Sequence, residues 1–132
     1  MNKSLLIGVD HTAVAAEDVD ALATWYCDVL GYTKYYRHDK PVWILQAPDT
    51  SILEIMPKDG NRRPKRSTWT PGWSHLALRV NNIQEAIDYL NTMNVNWGGE
   101  LTEAIGGGLV RSFYDPEGNM LQLVERELKI KG

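Results

Sequence analysis

The sequence has a single cysteine, Cys27, so no disulfide can form within the chain. This excludes a small disulfide-stapled scaffold and agrees with a reducing compartment. No apolar run approaches the roughly 20 residues that a membrane span needs. The opening Met-Asn-Lys-Ser-Leu-Leu-Ile-Gly carries one basic residue and a short apolar stretch, but Asp10 and His11 cut it off too early for a secretory h-region. A basic excess is lacking too. The 14 Lys+Arg face 17 Asp+Glu, a net charge of −3 with His neutral, which argues against a non-specific nucleic-acid binder. Hydrophobic residues at 43% and charged residues at 23% exclude collagen-like and disordered chains. The expectation is a cytoplasmic protein with neither nucleic acid nor membrane as a partner. Its 132 residues suffice for a real core, in one domain or two coupled halves.

What the chain does have is an internal repeat. His11-Thr-Ala-Val14 and His75-Leu-Ala-Leu78 each follow a short β-prone run and lead into a helical pattern. Val19, Leu22, Ala23 and Tyr26 recur at helical spacing in the first half, and Ile83, Ala86, Ile87 and Leu90 in the second. His11 and His75, Val19 and Ile83, and Tyr26 and Leu90 are each 64 positions apart. Asp18 and Asn82 stand where helix N-caps belong, and Gly31 where a helix ends. Strand-like runs follow at Thr33 to Arg37, Val42 to Ala47 and Ser51 to Met56, then at Val95 to Trp97, Leu109 to Tyr114 and Asn119 to Val124. Pro-containing turns, Ala47-Pro-Asp-Thr50 and Asp115-Pro-Glu-Gly118, join the last two strands of each half. The predicted fold class is therefore α+β. Two paired βαβββ modules, residues 1–57 and 71–132, flank a linker at 58–70 and form a curved mixed sheet around a cup.

Strand parity selects the residues that face the cup. Leu76, Leu78 and Val80 suit the helix side, leaving His75, Ala77 and Arg79 on the other. Leu53 and Ile55 put Glu54 in the cup, and Leu121 and Leu123 put Gln122 there. Glu54 lies six residues after Pro48, and Gln122 six after Pro116. Glu125 is a second carboxylate nearby, of opposite parity; a bulge would bring it in, so it stays open as the fourth member in place of Gln122. His11, Glu54, His75 and Gln122 thus offer two imidazoles, a carboxylate and an amide oxygen. Such a set suits a divalent ion (Zn, Ni, Co, Mn or Fe), whose charge stabilises negative charge developing on a substrate.

The segments Gly-Val-Asp-His11-Thr-Ala-Val, Trp25-Tyr-Cys-Asp-Val-Leu-Gly31, Ile-Leu-Glu54-Ile, Gly-Trp-Ser-His75-Leu-Ala-Leu and Phe-Tyr-Asp-Pro-Glu-Gly-Asn119-Met-Leu-Gln122-Leu resemble the vicinal oxygen chelate superfamily, the fold of glyoxalases, bleomycin-resistance proteins and extradiol dioxygenases. The resemblance spans nearly the whole chain and is specific for fold rather than reaction. It implies a metal in the cup held by His11, Glu54, His75 and Gln122, and usually a homodimer. Gln122 departs from enzymes resembling bacterial glyoxalase I, which carry a proton-transferring Glu there. An amide cannot take a proton near neutral pH, so Glu54 is the catalytic base expected here.

Other features are secondary. Arg79, by parity, and Arg111, on a strand after Gly106-Gly-Gly108, are expected to bind substrate. The triple glycine suits either a mobile lid or a loose hairpin. Trp43, Trp69, Trp73 and Trp97 are pocket candidates. Arg62-Arg63-Pro-Lys65-Arg66 reads as a solvated linker, Cys27 as structural and His38 as exposed loop. The leading expectation is a glyoxalase-like, metal-dependent lyase or isomerase. It would hold a small substrate through two vicinal oxygens and move a proton beside a carbonyl. The same residues leave open a ligand-sequestering protein of the bleomycin-resistance type, or an Fe(II) extradiol dioxygenase.

Overall fold

The computed structural model describes residues 5–127, and the chain divides into two compact units between Arg62 and Arg63. The first unit contains β1 (His11–Ala16), α1 (Val19–Leu30), β2 (Thr33–His38), β3 (Val42–Gln46) and β4 (Ile52–Pro57). The second contains β5 (Leu76–Arg79), α2 (Ile83–Thr92), β6 (Asn96–Trp97), β7 (Thr102–Glu103), β8 (Leu109–Tyr114) and β9 (Met120–Glu125). Both sheets are mixed, so the α+β class holds. The order is β1-β4-β3-β2 in the first and β5-β9-β8-β6 in the second, with β7 paired to β8. The outer strand pairs β1·β4 and β5·β9 are parallel, and the rest are antiparallel.

Local chemistry sets the helix ends. The Asp18 carboxylate accepts from the Ala21 amide at 3.0 Å, and the Asn82 side chain accepts from Glu85 at 3.0 Å. Each satisfies one of the donors a helix start leaves unpaired. Gly31 takes φ 78°, and the amides of Gly31 and Tyr32 bond back to Cys27 and Tyr26. That left-handed stop is natural for glycine. Helix α1 buries Val19, Leu22, Ala23, Tyr26 and Val29, and α2 buries Ile83, Ile87 and Leu90. Leu45, Leu53 and Ile55 are buried in the first unit; Phe113, Leu121 and Leu123 are buried in the second. Strand parity therefore runs as expected, with these residues on the helix face and Glu54 and Gln122 between them on the other.

The two Pro turns close in the same way. Ala47 bonds to Ser51 and Thr50 to Ala47; Asp115 bonds to Asn119 and Gly118 to Asp115. The second turn adds a buried carboxylate. Asp115 accepts from the Glu117 amide (2.9 Å), the Asn119 amide (3.0 Å) and Asn119 Nδ2 (2.7 Å). Arg63 in turn donates to Asn119 Oδ1.

Two expectations change and one open choice is resolved. The second module contains a short strand, β7, that no hydrophobic alternation announced. Gly106, Gly107 and Gly108 all have positive φ in the β7–β8 turn, and Arg126 donates to the carbonyls of Ile105 (2.8 Å) and Gly107 (2.7 Å). A Cβ on Gly108 would lie 2.0 Å from the Glu125 carbonyl oxygen. The triple glycine thus forms a clamped hairpin packed against its neighbour strand, rather than a lid. Finally, Trp43 and Trp97 turn to the helices: Trp43 donates to Asp20 on α1 and Trp97 to Asn91 on α2, each at 2.8 Å.

Candidate functional site

In the first unit, β1 and β4 run parallel with Ala13 beside Glu54 and His11 beside Ile52. His11 and Glu54 are therefore diagonal neighbours on the face away from α1. His11 Nε2 lies 3.2 Å from Glu54 Oε2, while His11 Nδ1 lies 2.8 Å from Asp10 Oδ2. A carboxylate only accepts, so the Asp10 contact requires the proton on Nδ1. The neutral ring then turns a lone pair toward a second carboxylate. Two acceptors at that distance repel unless a cation lies between them. A proton can serve, and the Asp10 hydrogen bond does hold the His11 pKa above its ordinary value, aided by the charges of Glu54 and Asp10 against an opposing effect of burial. A divalent ion also serves. Donors bound at about 2.0–2.2 Å to one ion lie roughly 3.0–3.5 Å apart, a span that includes the observed separation. The imidazole and carboxylate pair thus fits one edge of a metal site.

In the second unit, His75 sits one residue before β5. Ala77, two residues on, pairs with Gln122, which pairs with Ser112 on β8. His75 Nδ1 lies 2.8 Å from Ser74 Oγ. The half-buried Gln122 donates from Nε2 to Ser112 Oγ at 3.2 Å, leaving Oε1 as an acceptor. Among the described residues no three or more His, Cys, Asp or Glu side chains form one metal-holding group; the convergent pair is His11 and Glu54.

The remaining sequence candidates separate. Glu125 faces α2, where its Oε1 accepts from the Ile83 amide at 2.8 Å. It belongs to the helix start, so the parity that favoured Gln122 holds with no bulge. Arg79 is exposed and pairs in register with Val124. Arg111 lies away from the Gln122 face on which substrate binding was expected. It pairs with Leu123, putting it on the helix face. Its guanidinium stacks 4.0 Å over the Trp97 ring and donates to the Gly99 carbonyl at 2.9 Å. Residue alternation from Gln122 through Ser112 carried this information; the glycine run drew attention away from it. Trp69 and Trp73 are exposed. Arg66 donates to the carbonyls of Thr70, Pro71 and Trp73, tying the connecting segment to itself. His38, expected in a loop, is instead the exposed last residue of β2 and accepts from the Lys40 amide in the turn that follows. Burial pushes the Cys27 thiol up, as befits a packing residue. Sequence reasoning missed Asp10 and Ser74, although each directly precedes a repeat histidine.

The sequence profile of the Glyoxalase/Bleomycin resistance protein/Dioxygenase superfamily matches residues 8–123. The chain belongs to this superfamily. It is 28% identical over 127 residues to the uncharacterized protein YaeR of Escherichia coli (strain K12), across 89% of this chain and 95% of YaeR. It is 27% identical over 116 residues to biphenyl-2,3-diol 1,2-dioxygenase 3 of Rhodococcus globerulus, across 86% of this chain and 60% of that protein. Among solved superfamily structures, the glyoxalase family protein from Enterococcus faecalis superposes with a TM-score of 0.76 at 26% identity, covering 92% of this chain and 100% of that one. No helix among the described residues is long and apolar enough to cross a membrane.

Proposed function

We propose that the chain is a divalent-metal-dependent lyase or isomerase of its superfamily, acting on a small molecule that presents two vicinal oxygens. His11, Glu54, His75 and Gln122 would hold the ion. The observation that carries this reading is the His11–Glu54 pair, an imidazole nitrogen and a carboxylate facing each other at 3.2 Å with the far ring nitrogen already anchored. The fosfomycin resistance protein FosX from Listeria monocytogenes, a fold neighbour with a TM-score of 0.70 at 16% identity, was solved with Mn(II). When bound, the ion would supply Lewis-acid stabilisation of negative charge on a substrate oxygen.

The protein supplies the rest. Glu54 is the carboxylate that takes a proton from the carbon beside the substrate carbonyl, because the Gln122 amide cannot. Gln122 orients through its oxygen, with its nitrogen occupied by Ser112. Arg79, exposed on the Gln122 face, offers a cation to an anionic substrate group. A homodimer in the cytoplasm is the setting this reading expects. The test is exchange of the substrate α-proton with solvent deuterium, followed by NMR across α-ketoaldehyde thiol adducts and acyl-CoA thioesters. Exchange with one class that drops at least about 100-fold in Glu54→Gln supports the proposal. Exchange unaffected by Glu54→Gln refutes Glu54 as the base.

The likeness to a biphenyl-diol dioxygenase favours a second reading, an Fe(II) extradiol dioxygenase held by the same histidines and Glu54. Oxygen uptake with catechols, without proton exchange, would select it. A chain with neither activity but a ligand-induced tryptophan fluorescence change would be a sequestering protein.

A further inference from the structure

Both repeat histidines have their Nδ1 engaged by the residue immediately before them, His11 by Asp10 and His75 by Ser74, each at 2.8 Å. Asp10 and Ser74 are themselves 64 positions apart, so they are equivalent members of the repeat. The partners differ in chemistry. An ionised carboxylate can only accept, so Asp10 keeps a proton on Nδ1 and, in the neutral ring, leaves Nε2 as the donor atom for a metal ion. A hydroxyl can donate or accept, so Ser74 holds the His75 ring but leaves its tautomer open. His11 Nε2 then lies against Glu54 Oε2, whereas the Gln122 amide nitrogen is turned to Ser112.

We propose that Asp10 is a positioning residue that presets His11 as a metal donor, making the His11–Glu54 edge the stronger half of the site, while Ser74 serves His75 more weakly. The proposal rests on the metal-dependent reading above. A partner on the distal nitrogen orients a ligand histidine and raises its basicity, and its removal typically costs about 10–100-fold in metal affinity. Asp10 is itself exposed, with 97% of its side chain open to solvent, so its replacement leaves the core untouched.

Two readouts on the full chain test this. Mn(II) affinity, measured by EPR titration of the metal alone, is expected to fall about 10–100-fold in Asp10→Ala. It should fall less in Asp10→Asn, whose amide oxygen still accepts, and less in Ser74→Ala than in Asp10→Ala. Imidazole 15N shifts of the metal-free protein, recorded where the His11 ring is neutral and with three histidines to assign, are expected to report the Nδ1–H tautomer of His11 and its shift toward Nε2–H in Asp10→Ala. Asp10→Ala binding Mn(II) as tightly as wild type, or a His11 tautomer indifferent to Asp10, overturns the proposal. Wild type that binds no Mn(II), Zn(II), Ni(II), Co(II) or Fe(II) defeats the metal reading instead, and the metal-free tautomer still decides what Asp10 does to His11.

Discussion

Gln122 and Glu125 lie on one strand, three residues apart, and face opposite sides of the sheet. Glu125 Oε1 accepts the Ile83 amide at 2.8 Å, in the first turn of α2. Ile83 is 2% exposed, so water cannot easily replace the lost acceptor. A charge-assisted bond at a helix start contributes about 1–2 kcal/mol. Glu125→Ala should therefore lower Tm by about 3–8 °C. Glu125→Gln, which keeps an oxygen but loses the charge, should lower it by about half as much. Neither variant should change Mn(II) affinity beyond about twofold, well inside the roughly tenfold step of 1.4 kcal/mol. Gln122→Ala loses one neutral hydrogen bond to Ser112, worth about 0.5–1.5 kcal/mol, together with the proposed metal oxygen. Its expected signature is a Tm fall of about 2–6 °C with a clear loss of Mn(II) affinity, and the loss of affinity is what separates it from Glu125→Ala. Thermal denaturation and metal titration of the three variants give the comparison. A Glu125→Ala protein of unchanged Tm that no longer binds metal, beside a Gln122→Ala protein that still does, would refute the assignment.

Other expectations follow from single contacts. Asp115→Ala strands three N–H donors around a side chain that is 1% exposed, and should cost about 3–5 kcal/mol in urea unfolding; a loss below about 1 kcal/mol would contradict the network. Gly108→Ala puts a Cβ 2.0 Å from a backbone oxygen at φ +94° and should cost about 3 kcal/mol or more. Gly107→Ala, at φ +100° with open space around it, should cost only about 1–2 kcal/mol, and equal losses would deny the close approach. Burial pushes the Tyr32 hydroxyl up from 10 to about 12. A folded pKa above the unfolded one gives stability that is complete below pH 10 and is lost as pH rises through about 12. Stability should fall by about 2–3 kcal/mol across that window, and Tyr32→Phe should remove this portion of the alkaline fall.

Much of this was legible in the sequence because the relevant signals are local. Asp18, Asn82 and Gly31 cap helices through atoms two to four residues away, and Leu53-Glu54-Ile55 alternates as a half-buried strand must. Parity favoured Gln122 over Glu125, and only a bulge left Glu125 open. The parts that were not legible depend on contacts between elements. Trp43 and Trp97 look like pocket aromatics until β-sheet register turns them toward Asp20 and Asn91. Arg111 sits beside a glycine run that suggests motion, yet Arg126, just past the end of β9, pins that run. Asp10 precedes His11 as Ser74 precedes His75, but its meaning emerges only from the ring geometry.

The most direct test of the central claim is the divalent-metal content of the purified chain, measured by inductively coupled plasma mass spectrometry after loading and gel filtration, for wild type, His11→Ala and His75→Ala. The account predicts a stoichiometric ion in wild type that is lost in both variants. Metal content unchanged by either substitution would contradict it.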